Sequence, residues 1–465
     1  MTHLLNKLDL SKDSLYKNLQ GNILKGHGRD FTANIFIKFD KDQNHESKKW
    51  LAAFADTKVT SCKKQLKENE AYKRNKVSGD VFYGFLFTAK GYEYFNKDTS
   101  EFEHSFKIGM SDKNIQDKLN DPKVSQWEEG FRDEIHAMVL IADDDEIKLG
   151  NATRDVVEEL DKLGKILTVE FGNAIRNKNG DGLEHFGYVD GISQPLFFED
   201  ELKSYIEQNN GKHDFDPSAD SSQVLVNDPL TNEKDAFGSY FVFRKLEQHV
   251  RGFKTAERKL GKKLGLDGED AERAGAMIIG RFEDGTPIAI HDEAGMIGSG
   301  AFNNFNYGKN EESNPDLSKC PFHAHIRKTN NRTDEAKKHI MARRGIPYGR
   351  RNVPMGIEQD FSQMPESGVG LLFMSFQSSL SNQFETIQAN ANKKEGIKNL
   401  DPIIGQEHNN SNAIIIGDFP TKYGDAGSFE EGSFDQFVHL KGGEYFFAPS
   451  IPFLKNINHN KKSTK

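Results

Sequence analysis

Twice in this chain an apolar run containing Gly and Phe passes without a loop into a helical segment marked by Ser or Thr: GFLFTAKGYEYF at 84–95 and GLLFMSFQSSLSNQFETIQ at 370–388. A chain of 465 residues exceeds the roughly 250–300 at which a single core stops growing. The repeated pair therefore points to two α+β halves descended from one plan. Other segments agree. ANIFIKF, Ala33 to Phe39, alternates as a half-buried strand and precedes a charged helical stretch at Ser47 to Lys67. Val81 to Phe87 reads as a strand, with Thr88 placed to cap the next helix. Ile135 to Ile141 and Lys165 to Phe171 flank a helix at Ala152 to Leu163, so strands and helices mix without βαβ regularity. The second half offers a strand at Ser239 to Arg244, a long charged helix around Leu246 to Leu264 and a strand at Gly370 to Phe376. FVHLKGGEYFF predicts a hairpin turning at Gly442 and Gly443. Residues 208–235, polar and aperiodic, read as a connection between an N-terminal domain, 1–207, and a C-terminal domain, 236–465.

Composition narrows the function. Hydrophobic residues at 35% and charged residues at 29% suit a globular protein. A net charge of −9 argues against binding that rests on phosphate neutralisation, so no nucleic-acid partner is expected. No run approaches the ~18–20 apolar residues of a membrane span, and the charged start lacks the apolar core of a signal peptide. The expected address is cytoplasmic, without membrane association. Two cysteines, Cys62 and Cys320, offer no disulfide framework. The closing NKKSTK reads as a solvated tail.

Three clusters carry candidate chemistry. FGYVDGISQP holds Asp190 among Gly187, Gly191 and Pro195, where glycines permit close approach to a ligand; an ordinary Asx turn is the plainer account. CPFHAHIRKTNNR places Cys320, His323 and His325 beside Arg327, Lys328 and Arg332. Structural zinc wants four ligands, commonly in two pairs, and no second pair is evident. Haem iron needs one neutral imidazole, oriented by an acceptor on its other nitrogen, and nearby cations to neutralise the propionates. Two ordinary half-buried histidines would look the same. HIMARRGIPYG carries Arg343 and Arg344, which on a strand face opposite ways, one into a pocket and the other towards solvent. A solvated pair is the alternative.

Together these clusters resemble the dye-decolorising peroxidase family of haem enzymes. GYVDG is similar to its GxxDG signature, CPFHAHIRKTN to its proximal-histidine segment and MARRGIPYG to its distal-arginine segment. QGNILKGHGRDF, Gln20 to Phe31, and Gly370 to Gln388 also resemble family patterns, in family order. The resemblance implies two ferredoxin-like domains with antiparallel sheets and peripheral helices, and a pocket for haem b (iron protoporphyrin IX) mainly in the C-terminal half. It makes His325 the iron ligand, Asp190 the distal acid–base and Arg343 the distal cation. Arg327 becomes the propionate partner, Leu371 and Phe373 the distal lining, and Glu385 the residue that orients His325. Asn331 stands where many relatives have proline, and Gly345 where some have a distal Asn, so a mechanism needing that amide is not expected here.

The chemistry required of these residues is consistent with the resemblance. Cleaving hydrogen peroxide needs a proton moved between its oxygens and a cation near the leaving one. A carboxylate of reference pKa about 3.9, against about 6.5 for imidazole, keeps its base form in acid, which predicts an acidic optimum for oxidation of dyes and phenolic compounds. Bulky dyes cannot enter a tight pocket, so their electrons would pass inward from the surface through redox-active side chains, with Trp127, Trp50, Tyr348 and other tyrosines as candidates; packing is the plainer account of such residues. The rival readings are a non-catalytic haem carrier or sensor, and a zinc-stabilised binding protein using Cys320, His323 and His325.

Overall fold

The computed structural model describes residues 3–211, 214–295, 302–308, 311, 314–358, 360–394, 399–406 and 414–458; the NKKSTK tail lies outside them. In the first half the order is β1 (Phe31–Phe39), helices α1 (Asn44–Thr57) and α2 (Cys62–Asn75), β2 (Phe82–Phe87), β3 (Ala137–Asp143), α3 (Glu146–Leu160) and β4 (Gly164–Asn173). The second half repeats it with β5 (Phe237–Gln248), α4 (Val250–Lys263), β6 (Ile346–Tyr348), β7 (Gly370–Gln377), α5 (Glu385–Ala391) and β8 (Val438–Ala448). Each half is thus a β-α-β-β-α-β unit.

Local chemistry sets the element ends. Thr88 accepts from the Gly91 amide as expected of a helix cap, and Asp145 caps α3 so that it starts at Glu146, ahead of the helix anticipated from Ala152. The helical stretch anticipated at Ser47 to Lys67 is two helices, because Ser61 starts the second by accepting from Lys64 N. The helix anticipated from Leu246 begins only at Val250. Leu246 is held in β5 between Leu371 and Leu440, and His249 caps the helix that follows.

The strands lie in the order β6-β7-β5-β8-β2-β3-β1-β4, and two short strands, Val226–Asn227 and Ala342–Arg343, complete a sheet of ten. Every pairing within it is antiparallel. Within each half the sequence of neighbours is second, third, first, fourth, the ferredoxin-like arrangement, so the duplication sensed in the sequence is explicit in the topology. The halves join where Phe447 on β8 pairs with Phe87 on β2. At the opposite margin Ile346 on β6 fills the place a side chain on Gly172 of β4 would take. The fourth strand of each half therefore meets the second strand of the other, and the sheet rolls into a barrel.

One aromatic core runs through that barrel. Phe36 on β1 meets Phe243 on β5 at 4.8 Å and Phe446 on β8 at 6.0 Å between ring centres. A buried bidentate pair, Arg244 on β5 with Asp121 at 2.5 and 2.8 Å, ties the halves a second time.

The anticipated hairpin at Gly442–Gly443 is absent. β8 runs straight through on β5, with a bulge between Leu440 and Gly442. The Phe131 ring occupies the space of a Gly442 side chain, and φ at Gly442 is +152°. The glycines serve close packing rather than a turn.

Candidate functional site

A cavity enclosing about 1780 Å³ of empty space, its mouth included, opens beside the C-terminal half and is reached by the GYVDG segment from the N-terminal half. Its walls include Leu246, Ile279, Leu371, Phe373 and Phe384, with Asp190, His325, Arg343 and further arginines among them. Leu371 and Phe373 line the same cavity as Asp190, His325 and Arg343.

The Asp190 loop is held from within. Gly187 at φ +104° and Gly191 at φ +81° take backbone angles that favour glycine. The half-buried Glu184 carboxylate accepts from the amides of Phe186 at 2.8 Å and Tyr188 at 3.0 Å, and desolvation raises its pKa. Asp190 itself donates its amide to Gly182 O at 2.9 Å. Its carboxylate lies 3.5 Å from Arg343 Nη1, with the two side chains 35% and 33% exposed, so the pair is open to a small molecule. Arg343 is set by pairing with Ser375 on β7, by Gln194 Oε1, which accepts its amide at 3.1 Å, and by Ile192 O, which accepts from Nη2.

The two adjacent arginines do face opposite ways, yet Arg344 does not reach for solvent. Its Nε and Nη2 donate to the carbonyls of Asn22 and Ile23 at 2.6 and 2.8 Å. The QGNILKG segment is thereby fastened to the strand that carries Arg343.

His325 opens the helical turn His325–Thr329. Its Nδ1 lies 2.9 Å from Asp401 Oδ2, while Asp401 Oδ1 accepts from the amides of Ile403 at 2.8 Å and Ile404 at 3.2 Å. Asp401 is fully buried. Burial pulls the His325 pKa down, but the Asp401 carboxylate outweighs it and the net direction is up. With Nδ1 committed, Nε2 is the nitrogen left for the cavity. Asp401, not Glu385, is therefore the partner of His325. Glu385 is buried at the start of α5 and accepts from Lys118 Nζ at 2.6 Å. Nothing in NLDPIIG separates Asp401 from an ordinary turn aspartate, which is why the sequence passes over it.

Arg327 is also placed elsewhere. It is 1% exposed, and its Nε and Nη2 donate to Glu311 at 2.7 and 2.6 Å while Nη1 reaches the carbonyls of Asp316 and Cys320. It is a structural ion pair, and Arg332 and Arg281 stand on the cavity wall instead.

Cys320, His323 and His325 do not converge. Cys320 is buried on the Pro321 carbonyl with its thiol pushed up to about 12, and His323 packs edge-on against Phe419 with burial pushing its pKa down to about 4. Of the side chains considered for electron passage, Trp127 is buried and donates to Pro122 O, Trp50 is half-buried and donates to Glu159, and Tyr348 lies under Lys245. Tyr188, in the GYVDG motif, lines the cavity, and its hydroxyl donates to Glu257 at 2.9 Å.

The donor set fits a haem. One imidazole with a carboxylate behind it suits a single axial ligand, apolar walls suit a macrocycle, and guanidinium groups suit its acidic edge. Fold and site thus define a barrel enzyme whose two halves complete one haem cavity. Residues 18–176 match the profile described as DyP dimeric alpha+beta barrel domain, and residues 206–403 the one described as Dyp-type peroxidase, C-terminal. Multifunctional dye peroxidase DyP2 of Amycolatopsis sp. is 40% identical over 96% of each chain. Peroxidase 2 of Mycetinis scorodonius is 32% identical over 73% of this chain and 69% of its own. The crystal structure of a DyP-type peroxidase from Anabaena sp. superposes with a TM-score of 0.87 at 39% identity, covering 98% of this chain and 97% of that one. The chain belongs to the dye-decolorising, or DyP-type, haem peroxidase family.

Proposed function

We propose that His325 would hold the iron of haem b in this hydrogen-peroxide-dependent peroxidase and that Asp190 and Arg343 activate the peroxide. The observation that supports this most directly is the Asp190–Arg343 pair, 3.5 Å apart on the wall of the cavity that His325 also lines. Haem, when bound, would supply the redox-active iron and the oxidising equivalents that dyes and phenolic compounds consume. Asp190 takes the proton from one peroxide oxygen and returns it to the other. Arg343 stabilises negative charge growing on the departing oxygen. Asp401 holds His325 in the tautomer that presents Nε2. Leu371 and Phe373 exclude water from this face. The two free, buried cysteines support a cytoplasmic setting, and among the described residues no helix is long and apolar enough to cross a membrane.

Asp190→Ala and Arg343→Ala are expected to keep the haem absorption spectrum and to slow peroxide activation by ~10²–10⁴-fold, read by stopped-flow mixing with one equivalent of peroxide. His325→Ala is expected to change the axial ligation seen in that spectrum. Undiminished activation in both distal variants would favour a haem carrier or sensor.

A further inference from the structure

Met341 stands two residues before Arg343, and both line the cavity. Its sulfur has polar company that a thioether does not need. Ser375 Oγ lies 3.5 Å from Met341 Sδ and 2.8 Å from Gln377 Oε1, and Ser375 and Gln377 are both fully buried. Side chains alternate along β7, so Leu371, Phe373, Ser375 and Gln377 form one row, in which the first two line the cavity and Ser375 touches the sulfur.

This trio is one strong acceptor short. A hydroxyl has a single proton, which the Gln377 carbonyl and the sulfur must share, and a thioether accepts only weakly. The buried Gln377 Nε2 group meets no acceptor among the described residues, and an unmet buried donor is costly. The core methionines are set differently. Met110, Met138, Met277 and Met374 are buried as well, but they are not part of the cavity wall.

We propose that Met341 is an oxidative modification site: hydrogen peroxide entering the cavity transfers one oxygen atom to Sδ, and the resulting sulfoxide is held by the Ser375 hydroxyl and the Gln377 amide. This rests on the reading of the cavity as the place where peroxide is received. A sulfur lone pair attacks one peroxide oxygen and the O–O bond breaks; the departing hydroxide takes the proton from the oxygen now on sulfur and leaves as water. The sulfur loses two electrons, the peroxide gains them, and no further reactant is needed. A sulfoxide oxygen accepts more strongly than a thioether, so it draws the Ser375 proton and offers Nε2 the acceptor it lacks. Met turns about three single bonds, which lets an oxygen added on the cavity side swing towards those donors. Elsewhere a sulfoxide disrupts the core around it; here the donors are already in place. The modification consumes excess peroxide and adds a polar group to the wall that carries Arg343.

The test is peptide mass mapping of the full-length, haem-loaded protein after incubation with excess hydrogen peroxide and no dye, following the gain of one oxygen atom at each methionine over time. Met341 is expected to be oxidised at least ~10-fold faster than Met110, Met138, Met277 and Met374, which peroxide reaches only when the fold opens. Ser375→Ala is expected to slow oxidation at Met341 about tenfold, the size of one lost hydrogen bond, and to make the oxidised protein melt lower than its unoxidised form by a wider margin than in wild type. Oxidation of Met341 no faster than that of the four core methionines overturns the assignment whether or not any variant folds. A folded Ser375→Ala protein that oxidises Met341 at the wild-type rate overturns it too. Peroxide activation that is fast in wild type and slowed in Asp190→Ala and Arg343→Ala, alongside an unoxidised Met341, keeps the peroxidase reading and removes this one.

Discussion

Asp401 supports His325 with one oxygen and two backbone amides with the other. Asp401→Ala removes the anionic partner from the imidazole and strands those amides, each worth about 1–3 kcal/mol when left buried and unmet. The expected result is a lower melting temperature together with a higher midpoint potential of the haem, measured by spectroelectrochemistry; an unchanged potential would remove Asp401 from the site. Glu444 offers a pH-dependent case. It is half-buried, its Oε1 accepts from the amides of Met110 and Tyr445 at 2.7 Å each, and the loss of water around it raises its pKa from 4.5 to about 7. Between those values the folded protein holds a proton that the unfolded chain has released, so this contribution is full below about pH 4.5 and is lost as pH rises through about 7. Glu444→Gln is expected to melt higher than wild type at pH 8 and to show a smaller difference, or none, at pH 4.5. A melting difference that does not vary with pH counts against this account.

At the scale of elements, β8 shows how the same residues admit two readings. Two glycines between short apolar runs are the usual mark of a hairpin, and nothing local distinguishes that from a bulge. The decision lies in Phe131, more than 300 positions earlier, whose ring fills the space beside Gly442. Gly442→Ala therefore introduces a clash at φ +152° and is expected to cost about 1–3 kcal/mol, seen as a lower denaturant midpoint; wild-type stability would show that β8 yields there. The start of α4 teaches the same lesson. Leu246 has helical neighbours in sequence, but its two cross-strand partners keep it in the sheet.

For the whole molecule, closing the barrel makes each half depend on the other. Separating the chain near residue 208 exposes Phe243 and Phe446, which pack on Phe36, and leaves Arg244 without Asp121. The isolated C-terminal half is expected to bind a hydrophobic dye such as ANS, to lack a cooperative melt and to have no turnover, since Asp190 remains on the other piece. A soluble, cooperatively folding C-terminal half with full peroxidase activity would refute this.

Hydrophobic period, capping residues and the two strand-to-helix passages were enough to reveal the α+β halves, because those signals act between residues a few positions apart. The spacing and order of the motifs carried the resemblance that pointed to Asp190, His325 and Arg343. Only the closed barrel decided that Asp401 rather than Glu385 stands behind His325, that Arg327 is spent on Glu311, and that Arg281 and Arg332 face the cavity. Whether a buried charge meets a partner or an empty wall depends on side chains brought together from distant parts of the chain, and no local pattern records that meeting.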